Sequence, residues 1–178
     1  RRNDGWEFTP TKDNCTPDSV NGFEYLREIY TQSDPSYTGR VTVPVLYDTK
    51  RNTIVNNESA DIARILEEAF DAYATRDTDL YPARKQEEID TIIDQIHEEI
   101  NTGVYKAGFA DTQAEYESAV QNLFEALEQW DNVVGERRFL AGDDLTLAEF
   151  FLFPPLYPFA PVNHAHFKCN LQRLGGSG

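Results

Sequence analysis

The sequence predicts an α/β unit followed by an all-α bundle, and three observations carry that prediction. The stretch from residue 21 to residue 70 reads helix, strand, strand, helix. Composition changes after Phe70, and beyond Pro82 apolar residues recur at the spacing of long amphipathic helices.

From Asn21 to Tyr30 the residues Phe23, Leu26, Ile29 and Tyr30 fall at helical spacing, and Asp34-Pro35 with Thr38-Gly39 ends the run with turn chemistry. Arg40 to Tyr47 is β-branched and alternating, which predicts a strand. A polar turn from Asp48 to Asn52 leads to a second strand at Thr53-Ile54-Val55, so the pair reads as a hairpin. Asn56-Asn57-Glu58-Ser59 supplies cap residues ahead of the apolar stripe Ile62, Ile65, Leu66 and Ala69.

Asp71 to Pro82 is polar and reads as a linker. Ile89, Ile92, Ile93, Ile96 and Ile100 then predict a long helix, with Gly103 and Gly108 expected to interrupt it. Tyr116, Val120, Leu123, Phe124, Leu127 and Val134 share one face of a second long helix, expected to end just before Gly135. In Leu145-Thr146-Leu147-Ala148-Glu149-Phe150, Thr146 is placed to cap a helix start. Glu149 can reach back to the cap's own amide, and Leu145 and Phe150 are placed as a hydrophobic staple. That chemistry stabilises a fold and catalyses nothing. Pro154, Pro155, Pro158 and Pro161 are expected to break or kink the helix that follows.

Over 178 residues, 40% hydrophobic and 26% charged positions suffice for a packed core and exclude whole-chain disorder. Thirty-one acidic against sixteen basic residues leave a net charge of −15, a field that repels nucleic-acid phosphates and anionic membranes. Neither partner is expected. No apolar run approaches a membrane span and no basic-then-apolar leader opens the sequence, so a cytoplasmic location is expected. The bases are eleven Arg and only five Lys, and the acids are spread throughout. That pattern suits concentrated salt, where screening shortens to about 3 Å at 1 M, and it predicts a halophilic source. Met is absent and Gly175-Gly176-Ser177-Gly178 reads as a flexible linker, so the chain is expected to be a piece of something longer.

Two cysteines, Cys15 and Cys169, make no disulfide framework. His164, His166 and Cys169 offer three metal donors without a fourth, so no metal is expected and packing is the preferred reading.

A helix, a Val43-Pro44 step opening a strand, a hairpin, Glu58-Ser59 at a helix start and then an all-α domain is the order of the glutathione-transferase fold. Six stretches sharpen the resemblance. They are Gly5-Trp6-Glu7-Phe8, Tyr25 to Tyr30, Tyr37 to Leu46, Ile54-Val-Asn-Asn-Glu-Ser59, Asn101-Thr-Gly-Val-Tyr-Lys-Ala-Gly-Phe109 and His166-Phe-Lys-Cys-Asn170. Together they resemble the glutathionyl-hydroquinone reductases, the Xi-class glutathione transferases, over nearly the whole chain.

The resemblance implies a thioredoxin-like thiol-binding domain at 1–75, lacking its first strand-helix-strand unit, and an α-helical domain at 83–174. It implies glutathione as co-substrate, or a relative such as γ-glutamylcysteine, a quinone or hydroquinone thioether as substrate, and a homodimer. Val43, before a cis Pro44, would pair with the cofactor's cysteine backbone. Glu58 and Ser59 would hold its γ-glutamyl end, where a helix terminus offers amides to a carboxylate and Glu58 meets the ammonium. Trp6 and Arg40 would cover the remainder, Arg40 by pairing with a carboxylate. Tyr105 would face the hydroquinone and donate a hydrogen bond or a proton. Taken singly, Trp6 also reads as a core anchor, Ser59 as a plain N-cap, Pro44 as an ordinary trans proline and Tyr105 as a helix-end packing residue.

The family's nucleophile, a cysteine in a Cys-Pro-Trp-Ala setting, is not among these residues and is expected upstream. Cys15, in Asp13-Asn-Cys-Thr-Pro-Asp18, has carboxylates beside it that disfavour a thiolate. Cys169 matches a different family position, Asn163 stands where relatives carry tyrosine, and the family's closing tail with its further tyrosine does not follow Leu174. The alternative reading is a transferase-fold thiol-binding or assembly module without catalysis.

Overall fold

The computed structural model describes residues 5–75 and 78–157. Pro158, Pro161, Asn163, His164, His166 and Cys169, and with them the motif at 166–170, lie outside the described residues. The chain divides into two compact units, the first running to Ala72 and the second starting at Tyr73.

In the first unit α1 (Leu26–Ser33) is followed by β1 (Leu46–Asp48), β2 (Thr53–Asn56) and α2 (Ser59–Ala69), the order the sequence predicts. A short 3-10 turn, Asp71–Tyr73, follows α2. The strands pair antiparallel, with Tyr47 opposite Ile54 and Asp48 opposite Thr53. Their turn closes because the Asp48 carboxylate accepts the Lys50 and Arg51 amides at 2.9 and 3.0 Å, while Asn52 takes a left-handed φ of 53°.

Two boundaries differ from expectation. The α1 helix begins at Leu26 and not near Asn21, because the Asp18 carboxylate captures the Val20, Asn21 and Phe23 amides in a turn. Helix then starts where Glu28 accepts the Glu24 and Tyr25 amides at 3.0 and 2.8 Å. The predicted strand from Arg40 shrinks to Leu46–Asp48, because a ladder needs a neighbour and the only partner strand among the described residues is β2. Leu26, Ile29 and Tyr30 form a small core, packed by Phe8, Phe23, Tyr37, Val41, Val45, Tyr47 and Ile54. No residue of α2 is buried.

In the second unit α3 (Gln86–Gln95), a π-helical turn (Ile96–Asn101) and α4 (Thr102–Gly108) run on without a break. Gly103 therefore does not interrupt the helix. It is buried inside α4 facing α5, where an added Cβ would meet Leu123 Cδ1 at an ordinary contact distance of 3.5 Å, so tertiary packing around it outweighs its low helix propensity. The irregularity lies one turn earlier, in the π segment. The α5 helix (Gln113–Glu136) continues through Gly135 and stops at Arg137. It opens with a second reciprocal cap that the sequence reading passed over: Glu115 N–H donates to Thr112 Oγ1 at 3.2 Å and Thr112 N–H donates to Glu115 Oε2 at 3.1 Å.

The expected cap at Thr146 opens α6 (Leu147–Leu156). Thr146 N–H donates to Glu149 Oε2 at 2.8 Å, and Leu140 N–H donates to Glu149 Oε1 at 2.6 Å. Leu145 and Phe150, the expected staple, are exposed. Pro154 and Pro155 do not end the helix. They lie in its last turn and leave the Phe150 and Phe151 carbonyls without their i+4 amide donors, yet the helix closes beyond them, where Tyr157 N–H donates to Phe153 O at 3.0 Å. The unit's core comprises Ile89, Ile92, Ile93, Ile96, Ile100 and Val104 from the α3–α4 rod with Val120, Leu123, Leu127 and Trp130 from α5. Among the described residues no helix is long and apolar enough to cross a membrane.

Candidate functional site

Six of the seven candidate residues, Trp6, Arg40, Val43, Pro44, Glu58 and Ser59, lie in the first unit, and Tyr105 lies in the second. The loop from Tyr37 to Pro44 carries three of the six, and it is fastened from one side by α1. Tyr30, on the buried face of α1, packs its ring against Tyr37 with centroids 4.9 Å apart. Tyr37 donates its hydroxyl to the Arg40 carbonyl at 2.7 Å, which fixes the backbone that carries Arg40. Gly39 has no room for a side chain: an added Cβ would lie 2.7 Å from Tyr37 Oη, and that hydroxyl is committed to Arg40. The Asp34 carboxylate starts the turn by accepting the Ser36 hydroxyl and amide, and these two bonds, the hydroxyl's first, hold its pKa below the ordinary carboxylate value.

Thr42 comes next and meets two elements at once. Tyr30 Oη donates to the Thr42 carbonyl at 2.9 Å and receives the Thr42 amide at 3.3 Å. Asn57 Nδ2 donates to Thr42 Oγ1 at 2.9 Å. The following peptide, Val43-Pro44, is cis, the isomer that the resemblance implied. Val43 is half exposed, and its backbone N–H and C=O meet no partner among the described residues. An extended ligand backbone can therefore pair there.

Glu58 is the N-cap of α2 in extended conformation, and no side chain caps the helix. Asn56 Oδ1 accepts the Glu58 amide at 2.7 Å and Asn56 Nδ2 donates to Asp61, which shapes the approach to α2 but leaves its first amides uncovered. Glu58 and Ser59 are both exposed. The terminus thus presents amides and a hydroxyl to an anion, with a carboxylate beside them for a cation. Trp6 enters from the opposite end of α1. Leu26 N–H donates to Trp6 O at 3.0 Å and Phe8 N–H donates to Glu24 O at 2.9 Å, so Trp6 is held by its backbone while its ring remains about half exposed. Arg40 is exposed.

Tyr105 sits on α4, 56% exposed, its ring parallel to that of Phe109 with centroids 6.3 Å apart. Its stacking on Phe109, the C-cap of α4, fits the helix-end packing alternative, and its exposure leaves an edge open to a ligand. Cys15 is a free, half-buried thiol whose Sγ lies 3.7 Å from the Glu7 carbonyl. It is not at a helix start. Among the described residues there is no cluster of His, Cys, Asp and Glu that could hold a metal ion.

The sequence reading passed over Tyr30, Thr42 and Asn57. Tyr30 was legible as a core residue, but not its hydroxyl's target twelve positions on. Thr42 lies inside an alternating run that looks like plain strand, and Asn57 sits among cap residues, so neither declared a partner.

Comparison with known proteins agrees with this geometry. Residues 113–174 match the family described as glutathione S-transferase, C-terminal domain. The glutathionyl-hydroquinone reductase PcpF of Sphingobium chlorophenolicum is 48% identical over 170 residues, covering 96% of this chain and 54% of the relative. A glutathione-bound structure of Escherichia coli YqjG superposes with a TM-score of 0.92 at 43% identity, covering 97% of this chain and 56% of that one. A Xi-class transferase from Natrialba magadii gives a TM-score of 0.94 at 51% identity, over 99% and 54% of the two chains. The chain spans about half the length of the curated relatives it matches.

An α/β unit with a cis Val-Pro loop and an open Glu-Ser helix start, followed by a helical unit, defines a glutathione transferase. Within that fold the chain belongs to the Xi class, the family of the glutathionyl-hydroquinone reductases.

Proposed function

We propose that the protein of which this chain is a part reduces S-glutathionyl-hydroquinones to hydroquinones with glutathione as the thiol. In this reading 1–75 is the thiol-binding domain and 83–174 the helical domain. Val43 pairs with the cysteine backbone of glutathione, and the Ser59 end of α2 receives the γ-glutamyl carboxylate. Glu58 meets the ammonium, Arg40 meets the far carboxylate, and Trp6 lies along the peptide. γ-Glutamylcysteine would keep the Glu58 and Ser59 contacts and lose only those to the glycine end.

The reaction balances as two thiol exchanges. A cysteine thiolate, expected in sequence upstream of this chain, attacks the glutathione sulfur of the thioether. The carbon–sulfur bond breaks, a protein–glutathione disulfide forms, and the ring carbon takes the bonding pair and a proton, yielding hydroquinone. A second glutathione thiolate then displaces the cysteine, giving glutathione disulfide. Tyr105 is assigned the proton donor or the hydrogen-bond donor to the quinol oxygen. A homodimer in the cytoplasm is part of the same reading.

The observation that supports it most is the pairing of a cis Val43-Pro44 loop with an uncapped Glu58-Ser59 helix start, in a chain 48% identical to a named glutathionyl-hydroquinone reductase. The test uses the full-length protein with S-glutathionyl-menadiol and glutathione, following both products by chromatography. Menadiol and glutathione disulfide should appear in equal amounts. Tight glutathione binding with no menadiol released would overturn the enzyme reading in favour of a non-catalytic thiol-binding module.

A further inference from the structure

We infer that Thr42 and Asn57 form a strut that sets the spacing between the two ends of the thiol site, and so selects γ-glutamyl thiols over thiols that engage one end only. The inference rests on the site proposed above and adds two positioning residues to it. One end of that site is Val43, directly after Thr42; the other is Glu58-Ser59, directly after Asn57. The hydrogen bond from Asn57 Nδ2 to Thr42 Oγ1, 2.9 Å long, therefore joins the residues that immediately precede each end.

Among the described residues no other contact joins them so directly. The β1–β2 ladder begins at Leu46, beyond Pro44, and leaves the loop before it unpaired. α1 reaches the loop through Tyr30 and reaches β2 through Ser33, whose Oγ accepts the Ile54 amide at 2.9 Å. Those contacts hold each piece to α1. Among the described residues only the Thr42–Asn57 bond runs straight from one piece to the other. Both side chains are half-buried, so the bond is sheltered from water on one side and would persist when a ligand covers the other. A bidentate ligand gains from a fixed span, because no loop ordering is needed on binding. A ligand held at a single end gains nothing from it.

The experiment is a double-mutant cycle on the full-length protein, read by titration calorimetry with glutathione and, as the one-ended probe, cysteinylglycine in competition. Thr42→Val and Asn57→Ala should each weaken glutathione roughly five- to tenfold, the scale of one lost hydrogen bond, and the double variant should lose no more than either single. Thr42→Ser, which keeps the hydroxyl, should bind within about twofold of the wild type. Cysteinylglycine should bind all variants alike. Asn57→Ala leaves the Tyr30 bonds to Thr42 in place, so it reports even if Thr42→Val fails to fold. Single-variant affinities equal to wild type, additive losses in the double variant, or equal weakening of cysteinylglycine would each overturn the strut. A wild-type protein that binds no glutathione would overturn the site itself, and the strut with it.

Discussion

The two units achieve order by different means. The second is built on burial: Ile89, Ile96, Ile100 and Leu123 have no exposed surface, α4 and the π turn lie on α5, and α3 packs against α6. The first has three buried hydrophobic residues in its core cluster, and its α2 helix buries none. What holds its loops in place is a set of directed polar contacts: Tyr30 and Asn57 on Thr42, Tyr37 on Arg40 and Ser33 on Ile54. Burial is strong but indifferent to direction, whereas hydrogen bonds are weaker and fix geometry. A ligand site needs the second kind of order, and the candidate site is concentrated where that kind prevails.

The largest expected effect breaks the comparison on the helical side. Leu123→Ala removes a fully buried side chain against Gly103 and should cost about 2–5 kcal/mol in urea unfolding, whereas Leu66→Ala on half-exposed α2 should cost less than about 1 kcal/mol. Equal losses would mean that α2 is packed as tightly as α5. Next in size is Glu149→Ala, which strips the acceptor from both the Thr146 and Leu140 amides and should cost about 1–2 kcal/mol by the same measurement.

A smaller effect separates the units by pH. Three carboxylates of the first unit have pKa values below the ordinary 3.8. For Asp18, burial acts upward but is outweighed by the Asn21, Val20 and Phe23 amides. For Asp34 the Ser36 hydroxyl and amide dominate, and for Asp48 the Arg51 and Lys50 amides do. Groups depressed on folding contribute stability that is present above pH 3.8 and is lost as pH falls through their lower folded values. Trp6 lies in the first unit and Trp130 in the second, so acid titration of Trp130→Phe and Trp6→Phe variants reads each unit alone. The Trp6 signal should begin to change as pH falls below 3.8; an unchanged signal down to pH 2 would rule out a contribution from these turns. The smallest effect acts on both units: with a net charge of −15, raising KCl from about 0.1 to 2 M should raise the melting temperature by screening self-repulsion.

Much of this was readable from the residues, for local reasons. The element order, the Thr146–Glu149 cap and the hairpin depend on neighbours a few positions apart, and so does the Val43-Pro44 step that the family pattern marks. What escaped depends on distance or competition. Asp18 outbids the helix for three amides, which delays α1 by several residues. Gly103 looks like a breaker until Leu123 lies beside it. Thr42 reads as strand until Tyr30, twelve positions earlier, and Asn57, fifteen later, converge on it. The candidate residues that would touch a ligand were legible, and those that hold them in place were not.

The π-helical turn at Ile96–Asn101 works as an angular index for α4. A π turn is an α-helix with one residue more than its pitch accommodates, and each residue of an α-helix advances the chain by about 100° around the axis. Straightening this segment into regular α-helix without removing a residue would swing everything after it, Tyr105 and Phe109 included, through about that angle, whereas deleting the surplus residue would leave their bearing nearly unchanged. The bearing of the tyrosine is thus held by the π turn that takes up one surplus residue several positions upstream, where no side chain need touch a substrate.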